Sequence, residues 1–212
     1  MDDLVQLGRW PPVETIFQYR KIGPGGCLKS RQRNCEGGTT EAISNTLYLI
    51  TMIDKKFEFE YKVYDDISEL DKADIYLLSK ARSVTTQAYA PYSNFFVGAA
   101  AVLDNGEMVL GTNQENASYP VGICAERVLL GNAATTYPNV GITTMAISYD
   151  SKTIKSDHPI SPCGMCRQAL LEYELRTAKP IRLILSGQKG KIIIVRTVSS
   201  LLPFAFTSGE LL

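Results

Sequence analysis

Cys124-Ala125-Glu126-Arg127 and, further along, Ser161-Pro162-Cys163-Gly164-Met165-Cys166-Arg167-Gln168 hold the residues of this chain best suited to chemistry. Thiolates are soft ligands, and three of them leave one position of a tetrahedral zinc ion open, where water becomes a nucleophile at neutral pH. Glu126 is the one carboxylate in the cluster, so it is better suited to moving protons than to closing the coordination shell. The set points to hydrolytic zinc chemistry. A C-x-x-C pair alone is a weak signal, since it also fits a redox couple, half of a structural zinc ribbon, or two unrelated thiols. A redox couple does not require Cys124 and Glu126. A structural site needs a fourth Cys or His, and none stands in a matching position in the regular part of the chain.

Zinc held by three thiolates carries a surplus negative charge, which opposes ionisation of its water. Arg127 and Arg167 each directly follow a ligand block, and both are expected to donate hydrogen bonds to the sulfurs. The elements that position the thiols offer a second source of compensation. Cys124 falls in the first turn of an expected helix over about 123–135, and Cys163 and Cys166 fall in the first turn of another over about 163–177. Unpaired N–H groups and the helix dipole stabilise thiolates at both places.

Upstream of these, Ser68 is expected to cap a helix whose apolar face is Leu70, Ala73, Leu77, Ala81, Val84 and Ala88, ended by Ala90-Pro91. Phe95 to Leu103 and Met108 to Thr112 read as strands joined by the Asp104-Asn105-Gly106-Glu107 turn. Met145–Tyr149, Ile181–Leu185 and Lys191–Val195 read as further strands, and Val198 to Leu202 as a short last helix. This mixed order predicts a three-layer α/β/α sandwich around a mixed five-stranded sheet.

Bulk composition narrows the partners. The 212 residues carry 22 Lys+Arg against 22 Asp+Glu, so no overall field draws the chain to nucleic acid or an anionic membrane. Five cysteines, three of them in the metal-like set, argue against a secreted disulfide framework and for a reducing cytoplasm. The apolar stretch from Leu47 to Ile53 is too short to span a bilayer, and Met1-Asp2-Asp3 lacks the basic start of a secretory signal. The single histidine, His158, excludes an H-E-x-x-H zinc site and leaves a Ser-His-Asp triad improbable.

Residues 1–51, broken by Trp10-Pro11-Pro12, Gly23-Pro24-Gly25-Gly26 and Gly37-Gly38, are expected to form an N-terminal extension that is poorly ordered. Cys27 and Cys35 there read as free thiols, and five basic residues with no acidic one lie between Ile16 and Cys35. Residues 52–65 read as a lead-in, 66–206 as the catalytic domain and 207–212 as a tail.

Ala90-Pro91-Tyr92-Ser93-Asn94-Phe95, Val97-Gly98-Ala99-Ala100, Asn113-Gln114-Glu115-Asn116-Ala117, the two cysteine blocks and Leu201-Leu202-Pro203 together resemble the cytidine deaminases of the three-cysteine type. The zinc deaminases as a class carry an H-x-E and P-C-x-x-C signature, and here Cys124 stands for the histidine. The resemblance implies one zinc per subunit on Cys124, Cys163 and Cys166, with Glu126 as proton shuttle. It implies Phe95 stacked on the pyrimidine and Asn113 and Glu115 on the ribose hydroxyl. It further implies the Ala125 backbone on the base carbonyl, the Ser161 carbonyl on the exocyclic amine, and Phe206 reaching a neighbouring subunit's site in a homotetramer. The implied reaction, a step of pyrimidine salvage, is hydrolysis of cytidine and 2'-deoxycytidine to uridine and 2'-deoxyuridine. Zinc-activated hydroxide attacks C4 and ammonia leaves. A blasticidin-type nucleoside deaminase shares the arrangement and stays open as an alternative, as does, more remotely, a non-enzymatic zinc or redox module.

Overall fold

The computed structural model of the chain describes residues 54–211. The extension expected over 1–51, with Cys27, Cys35 and the basic stretch, lies outside the described residues, as do the first two residues of the lead-in.

Six strands form one sheet: β1 (Tyr61–Tyr64), β2 (Phe95–Leu103), β3 (Met108–Thr112), β4 (Ile142–Ser151), β5 (Arg182–Ser186) and β6 (Ile192–Val195). Their spatial order is β1-β6-β5-β4-β2-β3, with β4 and β5 parallel and all other neighbours antiparallel. The five expected strands are all present, and β1 is a sixth. It forms within the lead-in because Phe57, Phe59, Tyr61 and Val63 alternate with polar residues, a period that suits an extended strand. These four side chains stay 44–55% exposed, since β1 is an edge.

Helix α1 (Lys72–Val84) covers one face of the sheet, with Leu77, Leu78 and Ala81 packed on Ala100, Ala146, Ile184 and Ile192. Helices α2 (Ala125–Thr136) and α3 (Gly164–Thr177) cover the other, closing a core of Leu129, Leu170, Met145, Ile147, Leu183 and Val195. The α/β/α sandwich is thus as expected. Two details of α1 differ from the sequence reading. Asp71 caps the helix by accepting from the Asp74 amide at 2.8 Å, while Ser68 sits in a preceding 3-10 turn and donates its own amide to Asp66. Ala73 is exposed and Asp74 is buried instead, because its carboxylate accepts both arms of the Arg182 guanidinium at 2.6 and 2.5 Å. The helix stops at Val84 in a 3-10 turn over Thr85–Gln87, well before Ala90-Pro91.

The β2–β3 turn contains Gly106 at φ +86, a conformation that costs glycine nothing. Gly111 on β3 matters more for the site. A Cβ there would stand 2.4 Å from the Ala125 carbonyl and 2.5 Å from the Leu129 nitrogen, so only glycine lets α2 lie this close to the sheet. That contact sets the position of the first turn of α2.

Candidate metal centre and active site

Two helices begin on a cysteine. Cys124 is the N-cap of α2 and Cys163 the N-cap of α3, and neither side chain caps its own helix. Their sulfurs are therefore free to point away from the helix, toward each other. Cys166 lies one turn into α3, buried. The Cys124 and Cys163 sulfurs are 3.9 Å apart, those of Cys163 and Cys166 3.5 Å, and all three lie within 4.8 Å of one another. Tetrahedral zinc with Zn–S bonds of about 2.3 Å separates its sulfurs by about 3.8 Å. The residues present fit the ion, and among the described residues this is the one such cluster.

The electrostatics favour ionisation of Cys124. The Cys166 thiol hydrogen bond holds Cys124 down to about 6, against burial and the Glu126 charge, with smaller help from the Cys163 hydrogen bond and the Arg127 guanidinium. Cys166, the donor in that arrangement, is pushed up correspondingly, and burial and Glu126 add to it. A cation bound among thiols displaces their protons.

Glu126 is 5% exposed on the first turn of α2. Burial raises its carboxyl above the ordinary 4.5, opposed only by its own backbone amide and the Cys166 thiol. A carboxyl so placed holds a proton more readily than a solvated one, as a proton carrier near neutral pH must.

The guanidinium of Arg167 does not go to sulfur, contrary to the sequence reading. Its Nε donates to the Pro162 carbonyl at 2.9 Å, Nη1 to the Leu201 carbonyl at 3.3 Å and Nη2 to the Ser161 hydroxyl at 3.1 Å. The residue ties the loop before α3 to the C-terminal segment, since carbonyl oxygens within reach are stronger acceptors than a thiol. Arg127 is half-buried and acts on Cys124 through its charge.

The other expected residues divide into a braced group and an exposed one. Asn113 accepts from the Val97 amide at 2.7 Å and donates to the Phe95 carbonyl at 2.9 Å, which pins the start of β2 beside the end of β3. Glu115 accepts from the Tyr92 and Ser93 amides at 2.9 and 3.3 Å and from the Ser93 hydroxyl at 2.5 Å. Ala125 is fully buried and Ser161 exposed. Phe206 is 60% exposed and anchored through its carbonyl, which accepts from Gln168 at 2.8 Å.

Sequence reasoning did not anticipate Tyr149 and Ser93. Tyr149 stacks on the Phe95 ring, centroids 4.8 Å apart and planes 13° from parallel, and its hydroxyl meets the Lys155 carbonyl and the His158 ring. The two rings are diagonal neighbours across β2 and β4, where Phe95 pairs with Ser151 and Val97 with Tyr149. Nothing in a linear pattern carries that register. A cavity of about 1200 Å³ lies elsewhere, between Phe57, Phe59, Leu171, Leu175 and Leu202, and none of the three thiols lines it.

Such a centre on an α/β/α scaffold, with one carboxylate kept poorly partnered beside it, is built for metal-assisted hydrolysis, and the chain is a zinc-dependent hydrolase. The family model for the cytidine and deoxycytidylate deaminase zinc-binding region matches residues 71–179, more than half of the sequence, and the chain belongs to that family. A cytidine deaminase of Halalkalibacterium halodurans is 36% identical over 135 residues, covering 64% of this chain and 95% of the relative. One from Sporosarcina psychrophila is 35% identical over 135 residues, covering 64% and 92%. The crystal structure of cytidine deaminase from Burkholderia pseudomallei superposes with a TM-score of 0.54 at 36% identity, over 62% of this chain and 97% of that one.

Proposed function

We propose that the chain hydrolyses cytidine and 2'-deoxycytidine to uridine and 2'-deoxyuridine, with release of ammonia, on the site formed by Cys124, Cys163, Cys166 and Glu126. The observation that carries this reading is the pairing of three sulfurs at zinc spacing with a buried carboxylate at the same helix end. When bound there, zinc supplies a water acidified enough to attack at neutral pH. The chain's residues do the rest. Glu126 takes the water's proton and gives it to N3 of the base as C4 is attacked, then carries a proton to the departing amine. Phe95, backed by Tyr149, offers a fixed ring for stacking on the pyrimidine. The backbone amide of Ala125 stands at the open end of α2, free to hold the base carbonyl. The Ser161 carbonyl accepts from the exocyclic amine, and Arg167 steadies that loop.

The ribose contacts follow from what the bracing leaves unused. An amide offers two donors and two acceptor sites, and Asn113 uses one of each on β2, which leaves one of each for a hydroxyl. A carboxylate has about four acceptor sites. Glu115 fills three from Tyr92 and Ser93, which leaves one for the sugar. Free cytosine is therefore expected to be a much poorer substrate than the nucleoside.

Phe206 is exposed and open to a neighbouring chain, and the assembly that goes with this reading is a homotetramer. No helix among the described residues is long and apolar enough to cross a membrane. A reducing cytoplasm suits three ligating thiolates, and the reaction is one of pyrimidine salvage. The test is ammonia release from cytidine, deoxycytidine, cytosine and blasticidin S by the full chain, with zinc measured on the same sample. Turnover of the two nucleosides with about one zinc per chain supports the reading; preference for the antibiotic, or no release from a zinc-loaded chain, removes it.

A further inference from the structure

Strand β1 closes one edge of the sheet, and among the described residues its outer side has no partner strand. Edge strands of folded proteins are ordinarily blunted by charge, proline or a bulge, because an open row of amides and carbonyls is a template for another strand. This edge is not blunted on one face. Phe57 and Phe59, just before the strand, and Tyr61 and Val63 within it project in a row, 54%, 44%, 55% and 51% exposed, with neighbouring rings 6.3 and 6.0 Å apart. The opposite face carries Glu58, Glu60, Lys62 and Tyr64. A strand with one apolar and one charged face prefers a partner with the same division, and the chain itself is such a partner.

We propose that two copies of this chain join edge to edge through β1, antiparallel about a two-fold axis at Tyr61, making one continuous sheet of twelve strands. The charge pattern selects that register. With Tyr61 opposite Tyr61, Glu60 lies opposite Lys62 in both directions, Phe59 opposite Val63, and Glu58 opposite Tyr64. The registers centred on Phe59, Glu60, Lys62 and Val63, which also keep the apolar faces together, set like charges directly opposite. An axis at Phe59 pairs Glu58 with Glu60, one at Glu60 or at Lys62 pairs that residue with itself, and one at Val63 pairs Glu60 with Asp66. Like charges directly opposite are destabilising and unlike ones stabilising. A shift by one residue would put apolar against charged side chains along the whole strand. The interface is independent of the thiol site, which sits on the helix ends of the α2/α3 layer.

The register predicts a specific cross-link. Directly opposed residues of an antiparallel pair have Cα atoms about 4.5–5.5 Å apart, within the range a disulfide spans. In the full chain under mild oxidation, Tyr61→Cys should give a species of doubled mass, whose digest contains two copies of the β1 peptide joined through the introduced thiols. Phe59→Cys should not bridge to itself, yet should bridge to Val63→Cys when the two proteins are mixed. Adding Lys62→Glu to Tyr61→Cys should lower the bridged fraction severalfold, and adding Glu60→Lys as well should restore it. All these side chains are exposed, so the variants should keep their zinc and thermal midpoint. Absence of the bridge between two Tyr61→Cys chains, as when another segment or another protein covers the edge, overturns the proposal. So does an equal yield from Phe59→Cys alone, or a bridged fraction indifferent to Lys62→Glu.

Discussion

Glu126 and Glu174 are both buried carboxylates on the two helices that cover the same face of the sheet, 5% and 8% exposed. Glu174, on the last turns of α3, is saturated. It accepts from the Ile181 amide at 2.8 Å, the Val198 amide at 3.2 Å and the Thr197 hydroxyl at 2.8 and 2.9 Å, stitching α3 to β5 and to the turn after β6. Glu126 receives only its own amide and a thiol, and burial raises its carboxyl as a result. A carboxylate whose acceptor sites are filled serves as a structural bolt; one with unfilled sites stays available to a ligand or a proton. A third buried acid, Asp74 on the opposite face, follows the structural pattern through its two-armed contact with Arg182.

Substitution should separate the two carboxylates. Cys163→Ala should abolish ammonia release and lower zinc to a trace, since two thiols seldom hold the ion; full zinc content in that variant would deny the residue its place as a ligand. Glu126→Gln should keep zinc and melting temperature but lose about 10²- to 10⁴-fold in kcat, the usual worth of positioned proton transfer. Glu174→Ala should do the reverse. Stranding the buried Ile181 and Val198 amides should cost about 3 kcal/mol in denaturant unfolding, with kcat per folded, zinc-loaded molecule little changed. If Glu174→Ala lost turnover while staying stable, the division between bolt and carrier would fail. Gly111→Ala should cost about 1–3 kcal/mol, because the methyl group must push α2 off the sheet, and should raise KM or lower kcat with it.

The smallest effect is a pH dependence. Burial works against ionisation of Glu115, but hydrogen bonds from the Ser93 hydroxyl and the Tyr92 and Ser93 amides prevail and hold its carboxyl below the ordinary 4.5. A carboxyl lowered by folding stabilises above its unfolded value and loses that contribution as pH falls through the folded one. The Tyr92–Ser93 turn should therefore loosen only below about pH 4.5. Amide shifts of Ser93 followed by NMR would show it, and Ser93→Ala should move the transition upward.

The thiol cluster, the buried carboxylate beside it and the two helix ends are legible in the sequence because each is a local pattern: a ligand spacing, a carboxylate near a thiol, an apolar period that starts at a cysteine. The hairpin at Gly106 is legible for the same reason. What linear reading does not reveal depends on partners far apart in the chain. Arg167, expected on sulfur, is found on the carbonyls of Pro162 and Leu201. Asp74 carries no sign in the sequence of the Arg182 that meets it in the fold. The Tyr149 ring behind Phe95 exists only in the β2–β4 register. Strand β1 has the right alternation, but four residues at an edge, with only Tyr64 half-buried, give too short a signal to separate from a lead-in.

The central claim, zinc-dependent deamination by a carboxylate left free for protons, is tested most directly by one paired measurement. Ammonia release from cytidine and zinc content are determined together on the full chain and on its Glu126→Gln variant. The expected result is about one zinc in both proteins, with turnover in the first and almost none in the second. Equal ammonia release from the two, at equal zinc, would contradict it.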